Sequence, residues 1–290
     1  YPQVWLVFYI CLLCFAIFST SLLQVRISVN NNHDIAIISN HAIIVPLRKR
    51  EHDAKIFLHH MIHYFDDNFL NDYFTVIFVI QADQNLFNRG FLFNIGFHEV
   101  VTRRSYTKCI IFHDVDLIPI SPNVPYNQCL FPIQLGSELE HHNWTVPYLT
   151  YCGGVVSMSL KHWKTVNGFS NRYHGWGGED DDLYERLKRS KLLKGEHGKQ
   201  ILRPSLGKGM YNHTERRNLL PVDNAMKQNH SSYKQSIKIL KRMIRGRRST
   251  WHTDGINSVK YIILSQKRQT FNTSRISNVE ILHVQQVNRV

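Results

Sequence analysis

Short apolar runs alternate with segments of helical spacing between residues 41 and 112, and this alternation restricts the fold more than any other feature. Strands are predicted at residues 41–45, 73–80 and 109–112, and helices at residues 51–65 and 87–101. Pro46 is expected to end the first strand. Continuous apolar runs are typical of strands that are buried on both faces. The order strand, helix, strand, helix, strand therefore predicts an α/β fold with a mostly parallel sheet flanked by helices.

Polar side chains follow two of the predicted strands, at the sheet edge where such folds bind ligands. Arg48 and Arg50 follow the first strand, and Asp114-Val115-Asp116 follows the third. One carboxylate of an Asp-x-Asp pair can hold a divalent cation on the diphosphate of a nucleotide, and the other can contact the nucleotide or support the loop. A solvated acidic loop is the alternative, and the position directly after a buried strand favours the binding site.

The sequence GWGGEDDD at residues 175–182 is the most specific motif of the chain. Its glycines let the backbone approach a ligand closely, and its acidic residues are predicted to lie in the first turn of a helix, where the dipole favours negative charge. An ordinary acidic helix start would explain the carboxylates but not Trp176 and the glycines. A tryptophan beside carboxylates can stack on a sugar while they bond its hydroxyl groups, and an ionised carboxylate can act as a general base.

Three weaker candidates also have ordinary explanations. Met210 and His213 are three residues apart and offer a thioether and an imidazole to one metal, although a surface histidine is the commoner interpretation. Arg89 is a candidate phosphate contact, like the arginines after the first strand, or else a surface charge. Cys109 and Cys129 bracket the Asp-x-Asp loop, where they form either a disulfide or two separate buried thiols.

An apolar segment near the N-terminus predicts a membrane anchor. Seventeen of the twenty residues at 4–23 are apolar, and no charged residue precedes Arg26. A bilayer-spanning helix needs about 20 such residues, whereas a cleaved signal peptide, the alternative, has an apolar core of about 7–15. We therefore expect a signal-anchor over residues 1–25, a short stem over residues 26–40 and one folded lumenal domain over residues 41–290.

The chain carries 35 Lys and Arg residues against 22 Asp and Glu residues, a formal net charge of +13. Residues 227–248 hold eight basic residues and no acidic one. Such a run can bind nucleic acid, attract acidic glycans or anionic lipid headgroups, or be a solvated helix face. Because a lumenal domain seldom meets nucleic acid, we expect no nucleic-acid partner, and a solvated helix is the simplest interpretation.

Taken together, the motifs of this sequence resemble the β-1,4-galactosyltransferase family (glycosyltransferase family 7), whose members are inverting enzymes of the Golgi. The matches are VPLRKR (45–50), FNR (87–89), NIGF (94–97), HDVDLIP (113–119), PY and YCGGV (within 147–155), NGFSN (167–171), GWGGEDDD (175–182), MYNH (210–213) and DGINS (254–258). They occur in the family's order and extend over residues 41–263, about three quarters of the chain.

The resemblance implies a GT-A fold, a UDP-sugar donor and Mn²⁺. It implies that Asp180 is the catalytic base and that Glu179 lies near the donor sugar. The implied metal ligands are Asp116, Met210 and His213, and the implied acceptor contacts are Tyr148, Gly178 and Asp181. The implied donor contacts are Pro46, Arg48, Arg50, Phe87, Arg89, Asp114, Val115, Tyr151 and Trp176. A disulfide between Cys109 and Cys129 also matches the family.

Tyr151 occupies the position that separates donors in the family that the sequence resembles. A tyrosine there favours UDP-galactose because it leaves little room for a 2-acetamido group. The implied function is transfer of galactose to the 4-hydroxyl of a terminal sugar, which is N-acetylglucosamine, glucose or xylose on a glycoprotein, glycolipid or proteoglycan. Transfer of N-acetylgalactosamine from UDP-GalNAc and a non-catalytic sugar-binding membrane protein are the alternatives.

Three departures from the family pattern concern the implied acceptor site. Cys152 replaces a residue that is usually aromatic, the family's Arg-Phe acceptor pocket is not evident at residues 218–227, and a basic insertion occupies residues 227–250. The resemblance also implies a single-pass type II protein of the Golgi membrane, with a lumenal catalytic domain at residues 41–290.

Overall fold

The structure is a computed structural model that describes residues 40–69, 71–104, 106–214, 230–246 and 250–287. The predicted membrane segment and all but the last residue of the predicted stem lie outside the described residues. Within the described ranges, none of the helices combines the length and apolar character needed to cross a membrane.

The described residues form ten strands and five α-helices, with short 3-10 turns between them. The strands are β1 (His41–Leu47), β2 (Phe74–Gln81), β3 (Cys109–His113), β4 (Leu117–Pro119), β5 (Ile133–Gln134), β6 (Glu138–Leu139), β7 (Val155–Ser159), β8 (Met210–His213), β9 (Tyr261–Thr270) and β10 (Ile276–Gln286). The helices are α1 (Glu51–Asn68), α2 (Arg89–Arg103), α3 (Leu160–Thr165), α4 (Glu179–Arg189) and α5 (His230–Arg245).

Seven strands form the main sheet, in the order β5-β7-β3-β1-β2-β10-β9. Its centre is parallel, because β1 pairs in parallel with β2 and β3, and β10 pairs in parallel with β2. Toward the edges, β7 runs antiparallel to β3 and β9 runs antiparallel to β10. The sheet is therefore mixed, which corrects the prediction of a mostly parallel sheet. Parallel neighbours need a crossover of a dozen or more residues, usually a helix; residues 271–275 are too few for one, and residues 114–154 form no α-helix.

A smaller sheet in the order β4-β8-β6, which the sequence did not predict, lies beyond the end of β3. Strand β4 runs antiparallel to β8 and places His213 opposite Leu117, the residue after Asp116. The small sheet thereby brings two distant parts of the sequence, the Asp-x-Asp motif and the MYNH motif, to the same place.

The five predicted elements between residues 41 and 112 are confirmed with small shifts at their ends. The most informative difference is that β1 continues through Pro46 to Leu47. Strand β1 pairs with β3 only as far as Ile44, so the side of β1 that faces β3 is unpaired at Pro46. Proline has no backbone N–H, and at an unpaired position this costs no sheet hydrogen bond.

The core lies on both faces of the main sheet, as its continuous apolar strands predict. Ile43 and Val45 of β1 face the cluster that contains helix α1, whereas Ala42 and Ile44 face the cluster that contains α2. Helix α2 approaches the sheet closely at Gly96, where a Cβ atom would lie 2.3 Å from Cγ2 of Ile44. This glycine of the NIGF motif therefore sets the distance between helix and sheet.

The motifs NGFSN and DGINS form a largely buried framework of hydrogen bonds. The Ser170 hydroxyl donates to Oδ2 of Asp254 at 2.6 Å, and the backbone N–H of Asn171 donates to Oδ1 of the same carboxylate at 2.9 Å. The Asn171 amide also donates to the carbonyl of Gly255 at 2.8 Å. These bonds join the segment before the GWGGEDDD motif to the segment after α5.

Candidate active site

A cleft of about 780 Å³ opens beyond the carboxyl ends of β1 and β3. Every donor, acceptor and catalytic residue that the sequence predicts lines this cleft, and so do the predicted metal ligands Asp116 and His213. Met210, the third predicted metal ligand, is not among the lining residues. One cleft therefore collects motifs that are spread over more than 160 residues of sequence.

One side of the cleft, here called the sheet wall, is built by residues that follow the central strands. It consists of Arg48, Arg50, Arg89, Asp114 and Asp116. Two ion pairs hold it: Nη1 of Arg50 lies 2.8 Å from Oδ2 of Asp116, and Nε of Arg89 lies 2.6 Å from Oδ1 of Asp114. The carboxylates of the Asp-x-Asp motif are thus each anchored by one arginine.

The charge of Asp116 follows from its neighbours. Burial opposes ionisation of this carboxyl, but the charges of Arg50 and His213 outweigh burial and lower its pKa. Asp116 is therefore an ionised carboxylate at the cleft, as a ligand of a divalent cation must be.

The opposite side, here called the helix wall, is the GWGGEDDD motif with the first turn of α4. It consists of Trp176, Gly178, Glu179, Asp180 and Asp181. Gly178 caps the helix with a φ of 93°, a left-handed conformation that favours glycine. The helix begins at Glu179, which confirms that the carboxylates lie in a first turn.

The four consecutive acidic residues have different surroundings. Asp182 is buried, where its Oδ1 lies 2.5 Å from Nε of Arg186 and its Oδ2 accepts a hydrogen bond of 3.0 Å from Tyr173. The other three line the cleft. Asp182 is thus part of the framework, and only Glu179, Asp180 and Asp181 can act on a ligand.

Two carboxyls of the helix wall hold protons more tightly than usual. Burial, followed by the negative charge of Asp180, raises the pKa of Glu179 to about 7. The same two causes raise the pKa of Asp181 to about 6. The hydroxyl of Tyr148 donates to Oδ2 of Asp180 at 3.2 Å, so this carboxylate has a hydrogen-bond partner inside the cleft.

Arg89 connects the two walls. Its Nη1 lies 3.5 Å from Oε1 of Glu179, in addition to the ion pair of its Nε with Asp114. Its guanidinium carbon also lies 4.7 Å above the ring centre of Phe93. One buried cation therefore sets the separation between the Asp-x-Asp motif and the start of α4.

Tyr151 lies on the floor of the cleft between the walls. Its ring packs against the backbone of the following glycines, since a Cβ atom at Gly153 would lie 2.8 Å from its hydroxyl oxygen. Burial, followed by the charge of Asp114, raises the pKa of its hydroxyl well above the usual value. Tyr151 is therefore a neutral, bulky group in the lining of the cleft.

The donor set for a metal ion is partly assembled. His213 is close enough to Asp116 for its charge to lower the pKa of that carboxyl. A carboxylate together with an imidazole is a suitable pair of ligands for Mn²⁺. Residues three apart in a strand point to opposite faces of a sheet, so β8 directs Met210 and His213 to different sides. Across the described residues, no three His, Cys, Asp or Glu side chains are arranged to hold a metal ion.

The predicted disulfide between Cys109 and Cys129 is present. It joins the first residue of β3 to a residue 20 positions later, so the loop that carries Asp114 and Asp116 is covalently closed. Cys152, the third cysteine of the described residues, is a buried thiol without a disulfide.

Four residues that line the cleft lie outside every motif identified in the sequence. His141 and His142 lie in a 3-10 turn, and the ring centre of His141 is 3.9 Å from that of His213. Tyr233 and Ile237 come from α5, within the basic insertion. The histidine pair has no diagnostic spacing in the sequence, and the apolar positions of α5 lie within a run dominated by charges.

Two family models match the chain, one after the other. The N-terminal region of glycosyl transferase group 7 matches residues 25–129, and a model described as the N-terminal domain of galactosyltransferase matches residues 134–217. The chain belongs to glycosyltransferase family 7, the β-1,4-galactosyltransferase family. Together the two models cover strands β1 to β3, both walls of the cleft and strand β8.

Curated relatives of this family support the assignment. The chain is 31% identical to human β-1,4-galactosyltransferase 2 over 233 residues, which are 80% of this chain and 57% of the relative. It is 37% identical to human β-1,4-galactosyltransferase 1 over 146 residues, which are 50% of this chain and 36% of the relative. The chain thus spans between about one third and three fifths of the length of these relatives.

Solved structures of the Drosophila β-1,4-galactosyltransferase 7 share the fold. A mutant of that enzyme, in complex with manganese, UDP-Gal and xylobiose, matches with a TM-score of 0.64 and 24% identity, over 87% of this chain and 96% of that one. The catalytic domain in complex with xylobiose matches with a TM-score of 0.63 and 25% identity over the same shares. The likeness shows that the mixed sheet and its helices form the GT-A fold of these galactosyltransferases.

Proposed function

We propose that this chain is an inverting β-1,4-galactosyltransferase that moves galactose from UDP-galactose to the 4-hydroxyl of a terminal sugar on a glycoconjugate. The observation that carries the proposal is the bridge of Arg89 between Asp114 and Glu179. This bridge holds the Asp-x-Asp loop, which is the proposed cation-binding loop, next to the three cleft carboxylates Glu179, Asp180 and Asp181. Transfer from a nucleotide sugar to a hydroxyl group needs a cation site for the diphosphate and a carboxylate base for the hydroxyl in the same cleft.

Asp180 is the proposed general base. It lines the cleft in the first turn of α4 and accepts one hydrogen bond from Tyr148. In the proposed reaction it removes the proton of the acceptor 4-hydroxyl as that oxygen attacks the anomeric carbon from the face opposite UDP. A single displacement inverts the α-linked donor to a β-linked product. Trp176, exposed at the rim, would cover the sugars and exclude water, so that transfer outcompetes hydrolysis.

Mn²⁺ is the proposed cofactor, held by Asp116 and His213 with Met210 as the predicted third ligand. When bound, a divalent cation neutralises negative charge on the departing diphosphate. Arg48, Arg50 and Arg89 supply positive charge to the same end of the cleft.

The ligand set can be tested without measuring transfer. Titration of Mn²⁺ into the full chain with UDP, followed by electron paramagnetic resonance, should show at least about tenfold weaker binding in His213→Ala, since an imidazole ligand is lost. Met210→Leu should weaken binding less, because a thioether is a poor ligand for Mn²⁺. Unchanged binding in His213→Ala would remove this residue from the metal site.

The proposed donor is UDP-galactose rather than UDP-GalNAc. The Tyr151 ring and hydroxyl occupy the floor of the cleft, where the 2-acetamido group of the larger donor would need space. The proposed carrier of the acceptor sugar is a glycoprotein, a glycolipid or a proteoglycan.

The central test is transfer by the full chain in detergent with Mn²⁺. UDP-galactose and UDP-GalNAc are each offered with glycosides of N-acetylglucosamine, glucose and xylose, and the linkage of any product is determined by NMR. Formation of a β-1,4-linked galactoside is expected. A folded chain that transfers neither sugar to any acceptor would overturn the proposal in favour of a non-catalytic sugar-binding protein.

We also propose that the protein is a type II protein of the Golgi membrane with a lumenal domain. The apolar segment at residues 4–23 supports this proposal. Protease protection of the domain in sealed Golgi vesicles, together with resistance to extraction by alkaline carbonate, is expected. Digestion of the domain in sealed vesicles would reverse the orientation.

A further inference from the structure

Helix α5 has two faces of different chemistry. Its buried residues recur at helical spacing, and they are Ser232, Ser236, Leu240 and Met243. Its exposed basic residues share the other face, here called the basic face, and they are Lys234, Lys238, Lys241, Arg242 and Arg245. The basic face extends over eleven residue steps, or about 16 Å at 1.5 Å per residue.

The charges of the basic face are not compensated by the part of the chain that the structure describes. None of its five side chains forms an ion pair with a described carboxylate, and residues 230–246 contain no Asp or Glu. By contrast, exposed Lys188 of the neighbouring helix lies 3.4 Å from the carboxylate of Glu185. A row of like charges without partners repels itself and attracts anions.

The basic face begins at the rim of the cleft. Tyr233 and Ile237 line the cleft, and each is followed directly by a lysine of the basic face. The ring centre of Tyr233 lies 5.8 Å from that of Trp176, and a Cβ atom at Gly178 would lie 3.4 Å from Cβ of Ser236. Helix α5 therefore packs on the helix wall, the side that holds the proposed acceptor contacts.

The far end of α5 is also attached to the domain. Nη2 of Arg189 donates to the backbone carbonyls of Met243 and Ile244 at 3.2 and 2.8 Å. This cation binds the carbonyls at the end of the helix, where the dipole is negative. Both ends of the basic face thus have a defined position relative to the cleft.

We propose that the basic face of α5 binds the negatively charged part of an acceptor glycan, whose inner sugars carry sulfate or carboxylate groups. The inference rests on the proposed galactosyl transfer and narrows its acceptor class. Such a glycan would place its terminal sugar between Asp180 and Trp176 and lay its charged portion along α5. A membrane surface is the less suitable partner, because Leu240 and Met243 of α5 are buried against the domain and Tyr233 and Ile237 line the cleft, which leaves Ile244 as the exposed aliphatic side chain of the helix.

Binding is tested first, since it does not require activity. The probe is a heparin-derived hexasaccharide, and its affinity for the full chain is measured by fluorescence anisotropy. The variant K238Q/K241Q/R242Q should bind about tenfold more weakly, because three exposed ion pairs are removed. The matched control K161Q/K164Q/K260Q removes three exposed lysines outside α5 and should change affinity less than about twofold. Thermal melting verifies that both variants are folded.

Transfer is the second measurement. With an acceptor oligosaccharide sulfated on its inner sugars, the α5 variant should raise KM about tenfold and leave kcat unchanged. With the unsulfated acceptor, KM should stay the same. If no protein transfers galactose, the proposed function fails, while the hexasaccharide measurement still decides the role of α5.

Two outcomes would overturn the inference. One is equal affinity of the α5 variant and the control variant for the hexasaccharide. The other is that the full chain binds vesicles containing phosphatidylserine, loses that binding in the α5 variant, and shows no affinity for the hexasaccharide. The second result would assign the basic face to a membrane surface.

Discussion

The two walls of the cleft differ in how firmly they are held. On the sheet wall, Arg89 and Asp116 are paired with opposite charges, and their side chains are 13% and 26% exposed. On the helix wall, Trp176 is 54% exposed and lies in a sequence whose three glycines all have φ between 85° and 93°. With the proposed function, a diphosphate would therefore meet charges that are already arranged, whereas the proposed acceptor side would depend on a glycine-rich segment and exposed rings.

The largest expected effect belongs to the helix wall. Asp180→Asn should lower kcat about 10²–10⁴-fold, because an amide cannot accept the proton of the acceptor hydroxyl. UDP binding, measured by isothermal titration calorimetry, should be nearly unchanged, since the sheet wall is intact. Full activity of Asp180→Asn would remove this residue from the role of base.

The next prediction compares the walls directly. Arg89→Ala should lower the free energy of unfolding by about 3–5 kcal/mol, because it leaves two partly buried carboxyls without their cation. Trp176→Ala should change it by no more than about 0.5 kcal/mol, since the ring is exposed. Urea unfolding checks both values. Similar losses for the two variants would mean that the walls do not differ as described.

The floor between the walls gives a smaller effect. Tyr151→Leu should raise the ratio of GalNAc to galactose transfer about 10–200-fold, because a smaller side chain without a hydroxyl admits the 2-acetamido group. The ratio is measured with both UDP-sugars in competition. Tyr151→Phe keeps the ring and serves as the control, and an equal rise in that variant would assign the selectivity to the hydroxyl alone.

The smallest effect concerns the charge state of the helix wall. Burial, followed by the charge of Asp180, raises the pKa of Glu179 from 4.5 to about 7. The folded chain therefore holds this proton more tightly than the unfolded chain, and the stability it contributes is full below about pH 4.5 and lost as the pH rises to about 7.

Glu179→Gln removes this titration. Relative to the variant, the chain should lose free energy of unfolding between pH 4.5 and 7 and show no further change at higher pH. Urea unfolding at several pH values measures the difference. A constant difference between the chain and Glu179→Gln at all pH values would contradict the raised pKa.

The sheet wall could be predicted from the sequence because local rules determine it. Buried strands such as β1 and β3 appear as apolar runs, and the residues after them must meet at one edge of the sheet. The acidic motif could also be placed at a helix start from its composition alone. Both inferences use only local information: the spacing of apolar side chains along the chain and the direction in which the chain runs.

The parts that could not be predicted depend on pairings between distant segments. The spacing of Met210 and His213 suggests a shared metal, but strand β8, which sends them to opposite faces, forms only by pairing with β4 and β6. The antiparallel direction of β7 has the same origin. Tyr233 and Ile237 enter the cleft because α5 packs on α4, where the sequence shows mainly a run of charges.

The disulfide between Cys109 and Cys129 has a consequence for how the protein is made. Closing a loop of about 20 residues stabilises a fold by about 3 kcal/mol, chiefly by restricting the unfolded chain. Protein made in a reducing cytosol would lack this disulfide, and the loop that carries Asp114 and Asp116 would not be covalently closed. Because the contribution acts through the unfolded chain, material from a reducing host should unfold at a lower temperature and a lower urea concentration than material from an oxidising host.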